Sequence, residues 1–425
     1  MANTHVLLTP TIIAREALRL LKNNLVMGSR VYRGYEPEFP GTPKKGGTVQ
    51  IRKPVRFTVT KARTRATSNI REEYITLTVA TQAHVSWQFY MKDLTMTIED
   101  YSERYITPAA AKLANTIDAD LCGLYTDVFN VVWESTGFVN PSTFMVLGKA
   151  MQRMDEEAVP PEDRCIVFNP AAHWSMANAL AALSIPNIPE KAIRKGYLGT
   201  IASADIYMDQ NIKAHTVGEF HDSDSAWTSA IFLVTSASGI PAAVTSMATG
   251  TKSIMMCGFR ATAGSQTLRT GDWFQINGVF AVNPMSGEST GSLRQFVVSA
   301  DCSQANTSVA YPMAVTFEPA FLDTGPYKVV DTLAAASAQV FFWHKPGGVI
   351  PQNLAFHKNA FALVMVPLEK PDSTWGHTIS EDGYSIRVVK AYDIELDEEA
   401  IRLDVFYGVK TIYPEFAVRV AGAVQ

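Results

Sequence analysis

"TVQIRKPVRFTVTKARTRATSNIREEYITLTVATQAHVSWQFY" runs from Thr48 to Tyr90. Val49, Ile51, Val55, Phe57 and Val59 alternate on the way up. "TRATSN" turns, and Tyr74, Leu77, Val79, Val85 and Trp87 lead back. The spacing predicts a long antiparallel hairpin. A two-stranded ribbon is marginal in water by itself, and this tip has too few large apolar residues to anchor it to a core. It also carries one sign of charge. No acid lies between Glu38 and Glu72, while Lys44, Lys45, Arg52, Lys53, Arg56, Lys61, Arg63, Arg65 and Arg71 hold nine of the 37 Lys and Arg residues. Such a ribbon needs a surface of the opposite sign.

The remainder of the chain sets the frame. At 425 residues it is too long for one ordinary core, so two or three domains are expected. Hydrophobic residues make up 47%, ample for burial, while charged residues make up only 18%. The usual charged share is about 25%, so part of the surface is expected to be covered by partners. A net charge of -4 excludes nucleic-acid binding by bulk electrostatics. Cys122, Cys165, Cys257 and Cys302 stand far apart, without a CxxC pair, and read as reduced thiols of a cytosolic product. "MANTHVLLTP" shows no secretory signal. The longest clean apolar run, Ala360 to Val366, falls far short of the roughly 20 residues of a membrane helix. A soluble chain made in the cytoplasm is expected.

Ahead of the hairpin, Thr9 and Pro10 mark a helix start. Ala14, Leu18, Leu21 and Leu25 then form one apolar stripe, which could dock on this chain or on a neighbour. Glu36 to Gly47, rich in Pro and Gly, reads as extended linker. After the hairpin comes a long helical segment. Ile98, Tyr101 and Tyr105 share one face, and past Pro108 so do Ala110, Leu113, Ile117, Leu121, Leu124 and Val128. Pro108 should break or bend this segment near Thr107. A third helix carries Phe144, Leu147, Met151 and Met154. From Cys165 the texture is α/β, with "CIVFNP" a buried strand and "AAHWSMANALAAL" its helix. Between about Ser223 and Phe342 the chain is rich in small residues, short strands and tight turns, the composition of a β-barrel or sandwich. Strands resume after Pro351. A host α/β domain interrupted by an inserted β domain explains this order.

Candidates for chemistry are weak. His215 and His221 in "HTVGEFH", with Asp222 and Asp224, could suggest a metal site or a hydrolase, but the spacing fits no known ligand frame. "ATGTKS" (Ala248 to Ser253) lacks the phosphate-loop frame, because Thr251 separates Gly250 from Lys252. "DIELDEEA" (Asp393, Glu395, Asp397, Glu398, Glu399) reads as a solvated turn or an acidic partner surface. No GxSxG elbow or activated cysteine is present. Neither enzymatic activity nor a metal or other cofactor is expected.

The ordered set of parts resembles the Johnson-type (HK-ninety-seven-like) phage capsid fold of tailed-bacteriophage major capsid proteins. It is most similar to the podovirus P-twenty-two-like coat family, which carries an inserted domain. "AAAKLANTIDADL" (Ala109 to Leu121) resembles that family's spine helix. "FNPAAHWSMANAL" (Phe168 to Leu180) resembles the start of its central domain. "LRTGDWFQINGVFAVNP" (Leu268 to Pro284) resembles a stretch of its inserted domain, and "DVFYGVKTIYPEFAVRV" (Asp404 to Val420) its C-terminal strand pair. The resemblance implies an α+β chain with an N-terminal arm and linker (1–44), an extended hairpin loop (45–85) and a peripheral domain with the spine helix (86–164). A central capsomer-forming domain (165–221 and 347–425) and an inserted β-barrel (222–346) follow. It also implies a coat protein that forms hexamers and pentamers of itself in an icosahedral virion shell, assembled in the host bacterial cytoplasm. Its partners would be a scaffolding protein, a portal protein and packaged dsDNA, enclosed but not sequence-specifically bound, with no membrane. One departure concerns Thr235 to Ser253, almost uncharged where the family extends a charged loop. The rival within the fold is a cellular cargo-enclosing shell protein; the rival outside it is a metal-dependent hydrolase.

The resemblance places the basic ribbon across an adjacent subunit, in agreement with the reading of the residues. Lys53, Arg56, Lys61, Arg63, Arg65 and Arg71 are therefore expected to meet acids of a neighbour. The candidates are Glu99, Asp100 and Glu103, then Asp155, Glu156 and Glu157, and further the "DIELDEEA" turn. The competing use, nucleic-acid binding, is disfavoured because Thr and Val fill the alternate positions and no nucleic-acid module surrounds the ribbon.

Overall fold

The computed structural model describes residues 10–35, 47–57, 59, 61, 63–64, 72–90, 102–134, 140–181, 198–220, 231–235, 248–257, 266–304, 313–335, 338–369, 375–395 and 398–423. The chain divides into two compact units. One comprises Met1–Lys53, Glu73–Cys122 and Phe361–Ile412; the other comprises Pro54–Glu72, Gly123–Ala360 and Tyr413–Gln425.

In the first unit the 14-residue strand Glu398–Thr411 organises a five-stranded antiparallel sheet. It pairs with Tyr384–Asp393, with Phe361–Met365 and with Thr81–Tyr90, and Trp375–Glu381 adds the outer strand. Helix α1 (Pro10–Asn24) lies on Trp375–Glu381 and Tyr384–Asp393. Its stripe of Ala14, Leu18, Leu21 and Leu25 is buried, together with Ile13 and Ala17. The stripe that periodicity left open between this chain and a neighbour is thus covered by this chain's own sheet. Each buried leucine contributes about 1.5–3 kcal/mol. At the helix end Lys22 Nζ lies 2.5 Å from the Asp382 carboxylate.

Helix α2 (Thr107–Gly123) follows a π-helical turn, Ser102–Ile106. Pro108 comes just after that turn, and the helix does not break near Thr107; the irregular π-helical turn stands where the Pro108 N–H is missing. Ala110, Leu113, Ile117 and Leu121 are buried, as the spacing predicts. So is Asp118, in the same helix. Its two carboxylate oxygens accept the backbone N–H groups of Val26 and Gly28, each at 2.8 Å, just beyond α1. One acid therefore ties the exit of α1 to the spine.

The second unit holds a six-stranded mixed sheet. Its order is Val131–Glu134, Ala417–Ala423, Asn353–His357, Arg164–Phe168, Ala204–Met208 and Thr200–Ile201. The first and fourth pairings are parallel and the other three antiparallel. Helices α3 (Phe144–Glu156) and α4 (Pro170–Ala181) share a core with it through Val146, Leu147, Met154, Ala172 and Met176. Both starts are legible locally. Asn169 Oδ1 accepts the N–H of Ala172 at 2.8 Å with Pro170 opening α4, the usual cap chemistry. Before α3, Glu134 accepts the N–H and hydroxyl of both Ser142 and Thr143, placing a carboxylate where the helix dipole favours it.

Also in this unit, six antiparallel strands between Ile231 and Phe341 close into a barrel. Phe274, Phe296, Phe317, Phe321 and Phe342 fill it, and their cluster continues to Ile350 and Ala421 outside it. The chain enters and leaves the barrel side by side, because Ala214–Thr216 pairs antiparallel with Val349–Pro351.

Replacing Asp118 with Ala strands two backbone donors. The urea midpoint should fall by the equivalent of about 2–4 kcal/mol, with helix content retained at low denaturant. An unchanged midpoint would show that Asp118 does not hold the α1 exit.

Candidate assembly surface

The hairpin begins as the alternation requires. Thr48–Arg52 pairs in antiparallel register with Tyr74–Thr78, and the Lys53 N–H donates to the Glu73 carbonyl at 2.8 Å. Of the described tip, Phe57 is 69% and Val59 85% exposed, although both are large apolar residues. Lys61 and Arg63 are exposed beside them. Arg56 differs. Its guanidinium lies 3.5 Å from the Glu415 carboxylate and 5.7 Å over the Tyr327 ring, and its N–H donates to the Tyr327 hydroxyl. It thus meets an acid of its own chain. Arg65 and Arg71 lie outside the described residues.

The acids named from sequence are distributed unevenly. Glu99 and Asp100 lie outside the described residues, and Glu103 falls in the π-helical turn. Asp155 is the most exposed of its run, with a side chain 66% accessible, and pairs with Arg164 at 2.7 Å. Glu156 pairs with Arg153 at 2.9 Å. Glu157 is not a surface group. Its carboxylate is buried and meets Arg294 of the barrel strand Ser289–Val298 at 2.5 Å. Burial pushes its pKa up, and the guanidiniums of Arg294 and Arg153 oppose that shift. Within "DIELDEEA", Asp393 and Glu395 are exposed, while Glu398 and Glu399 are buried at the start of the long strand and Glu399 pairs with Lys390.

The Glu157 pair is one of several buried polar links between the barrel and the rest of its unit. The Gln295 side chain accepts the N–H of Val131 and donates to its carbonyl, both at 2.7 Å. Arg419, fully buried on the strand Ala417–Ala423, donates to the Gly271 carbonyl at 2.7 Å. Burial lowers it to about 10, so it stays cationic at neutral pH. His215 Nε2 lies 2.7 Å from Asp272, and its Nδ1 lies 3.1 Å from the Tyr125 hydroxyl. Asp272 also accepts the N–H groups of Gly218 and Arg269. These bonds, with His344 nearby, hold its carboxyl below the usual range although burial alone would raise it. Gly271 (φ +101°) is required here, since a Cβ would sit 3.2 Å from the His215 ring.

His215 therefore serves as a buried connector. His221, Asp222 and Asp224, grouped with it by sequence, lie outside the described residues. Lys252 of "ATGTKS" pairs with Glu318 at 2.5 Å in an ordinary turn. Burial pushes the Cys302 thiol up to about 11, leaving a poor nucleophile. Among the described residues no group of three or more His, Cys, Asp or Glu could hold a metal, and no helix is long and apolar enough to cross a membrane. Sequence reasoning missed Asp118, Arg294, Gln295 and Arg419. The one local hint was an arginine between valines in the buried pattern "AVRVAG".

The profile of the family described as "P22 coat protein - gene protein 5" matches residues 1–422. The chain belongs to the P22 coat protein family. The match takes in both units of this coat protein. No curated protein matches the sequence. Among solved structures the coat protein is similar to a chain of Mycobacterium phage Che8, with 13% identity over 93% of this chain and 90% of that one and a TM-score of 0.47. It is also similar to the capsid of cyanophage P-SCSP1u, with 12% identity over 90% and 85% and a TM-score of 0.43. A virus-like particle from Pyrococcus furiosus gives 8% identity over 96% and 98%, with a TM-score of 0.37. The stretch Thr235 to Ser253, almost uncharged in sequence, lies mostly outside the described residues of this coat protein.

The Glu157–Arg294 pair gives a test of the barrel attachment. Glu157→Leu alone should lower the urea midpoint by about 3–5 kcal/mol, because a guanidinium is left buried without its partner. Glu157→Leu with Arg294→Met should recover most of that loss, to within about 1–2 kcal/mol of the parent. Equal losses in the single and double variants would show that the pair is not the link.

Proposed function

We infer that this chain is the major capsid protein of a bacteriophage, assembling with copies of itself into an icosahedral shell. The family match along residues 1–422 carries this reading. The finer reading is a tailed phage whose shell of hexamers and pentamers encloses double-stranded DNA. A scaffolding protein would direct its assembly in the host cytoplasm, and a portal would occupy one vertex. The role is structural rather than enzymatic.

The exposed hairpin tip supports a specific mode of contact. Phe57 and Val59 offer apolar surface, and Lys61 and Arg63 offer charge, without burial in their own chain. Together with Lys53, Arg65 and Arg71, they would reach acids of a neighbouring copy, among them Asp155, Glu99, Asp100 and Glu103. An exposed ion pair contributes only about 0.2–1 kcal/mol. A few such pairs set register while letting misplaced subunits leave, and apolar burial around Phe57 and Val59 would add the lasting stability.

Negative-stain microscopy of the purified chain, with and without scaffold, should show closed shells. A chain that stays monomeric under all assembly conditions would exclude the reading. Assembly followed by light scattering should slow between about 0.05 M and about 0.5 M salt, because charges separated by more than a Debye length are then screened. Finished shells should resist the same change. Lys61→Glu with Arg63→Glu should slow assembly about tenfold while leaving the subunit's urea midpoint within about 0.5 kcal/mol of the parent. An unchanged assembly rate in that variant would remove the ribbon from the contact.

A further inference from the structure

Two histidines stand where the chain enters and leaves the barrel. His215 lies on the entering strand Ala214–Thr216, and His344 follows the strand Gln339–Phe341 on the way out. Asp272, at the start of the barrel strand Trp273–Val282, lies at their junction. His215 is fully partnered: Nε2 donates to Asp272 and Nδ1 accepts from Tyr125, the tautomer that suits both. His344 is not. Its ring is completely buried, and Phe220, Phe342 and Trp273 stand edge-on to it with centroids 5.6–5.7 Å away. Nε2 lies 3.3 Å from the Trp273 N–H and 3.0 Å from the Trp273 carbonyl, and Nδ1 has no partner among the described residues. A second proton would therefore point an N–H into an aromatic wall.

The surrounding charges divide: Asp272 favours that proton, while His215 and Arg419 oppose it. Asp272 faces both rings, Tyr125 and Asp301 face His215, and Arg419 faces His344; Cys302 stands behind Asp272. Asp301 lies at the exposed rim and is occupied by the N–H and hydroxyl of Thr270. Among the described residues that face His344, Arg419 is the permanent cation and Asp272 the buried anion. With His344 protonated, two cations would face that carboxylate.

We propose that the His215–Asp272–His344 cluster is an acid-released latch that holds the base of the barrel to the entering strand Ala214–Thr216. Protonation of His344 frees the barrel's base while the sheet stays folded. Burial lowers the His344 pKa from its ordinary 6.5 to about 4. The native state then binds fewer protons than the opened state, so the closed form is favoured above about pH 6.5 and loses that advantage progressively as the pH falls through about 4.

Amide hydrogen exchange of the unassembled full-length chain, read peptide by peptide and corrected for intrinsic rates, tests this at about pH 7 and about pH 4.5. Peptides spanning 269–276 and 339–351 should lose about tenfold or more protection at the lower pH, while 164–168 and 353–357 keep theirs. His344→Gln, which can still bond the Trp273 backbone but takes up no proton, should hold its barrel base closed at both values. Uniform loss across the unit, or no loss at the barrel base, overturns the proposal. So does a His344→Gln chain that opens at the parent's pH, which would move the acid-sensitive group elsewhere, for instance to Glu157. If His344→Gln does not fold, the regional profile of the parent chain decides between these outcomes, with His344→Asn as the second variant.

Discussion

A carboxylate and a guanidinium that have both left water, Glu157 and Arg294, govern how the second unit is put together. Each ion costs several kcal/mol to desolvate, and only close pairing offsets that. A shift of a few ångströms would leave two uncompensated charges, so the end of α3 and the barrel strand can meet in one register only. The next residue in that strand, Gln295, fixes the same register again by clamping both backbone groups of Val131. An apolar junction could slide; this one cannot. The barrel is therefore a seated part of its unit, although its aromatic core resembles that of an independent domain.

The first unit applies the same rule. Asp118 is buried, and its two carboxylate oxygens accept backbone N–H groups just beyond α1. Apolar burial supplies the bulk of the attraction between α1 and its sheet, and Asp118 specifies where the chain turns away afterwards. In both units, hydrophobic area gives stability and a few buried polar groups give position.

Which parts of this were readable in advance follows from the range of each interaction. The stripe of Ala14, Leu18, Leu21 and Leu25 and the pairing of the hairpin stem rest on neighbours within a turn or a strand, so local spacing disclosed them. The surface that receives α1 was not readable, because periodicity names a face but not its partner. Glu157 looked like part of an acidic surface run, since its burial depends on Arg294, far along the chain. His215 was grouped with His221 by proximity, whereas its bonded carboxylate is Asp272. For the hairpin tip the sequence showed too few large apolar residues to anchor it, and the two that are described there, Phe57 and Val59, stay exposed. Arg56 went the other way because Glu415 and Tyr327 happen to lie within its reach.

The order of strands in the six-stranded sheet has a consequence for synthesis. Ala417–Ala423, the last described strand in chain order, lies inside the sheet between Val131–Glu134 and Asn353–His357, not at its rim. It also carries Arg419, whose guanidinium reaches back to Gly271. The barrel strands leave the ribosome far earlier, although the core they build includes Ala421 of that later strand. The sheet keeps a gap until Ala417–Ala423 has been made. A chain that stops short of it lacks the middle of that layer, so only polypeptides that extend through it offer a continuous sheet to a growing particle.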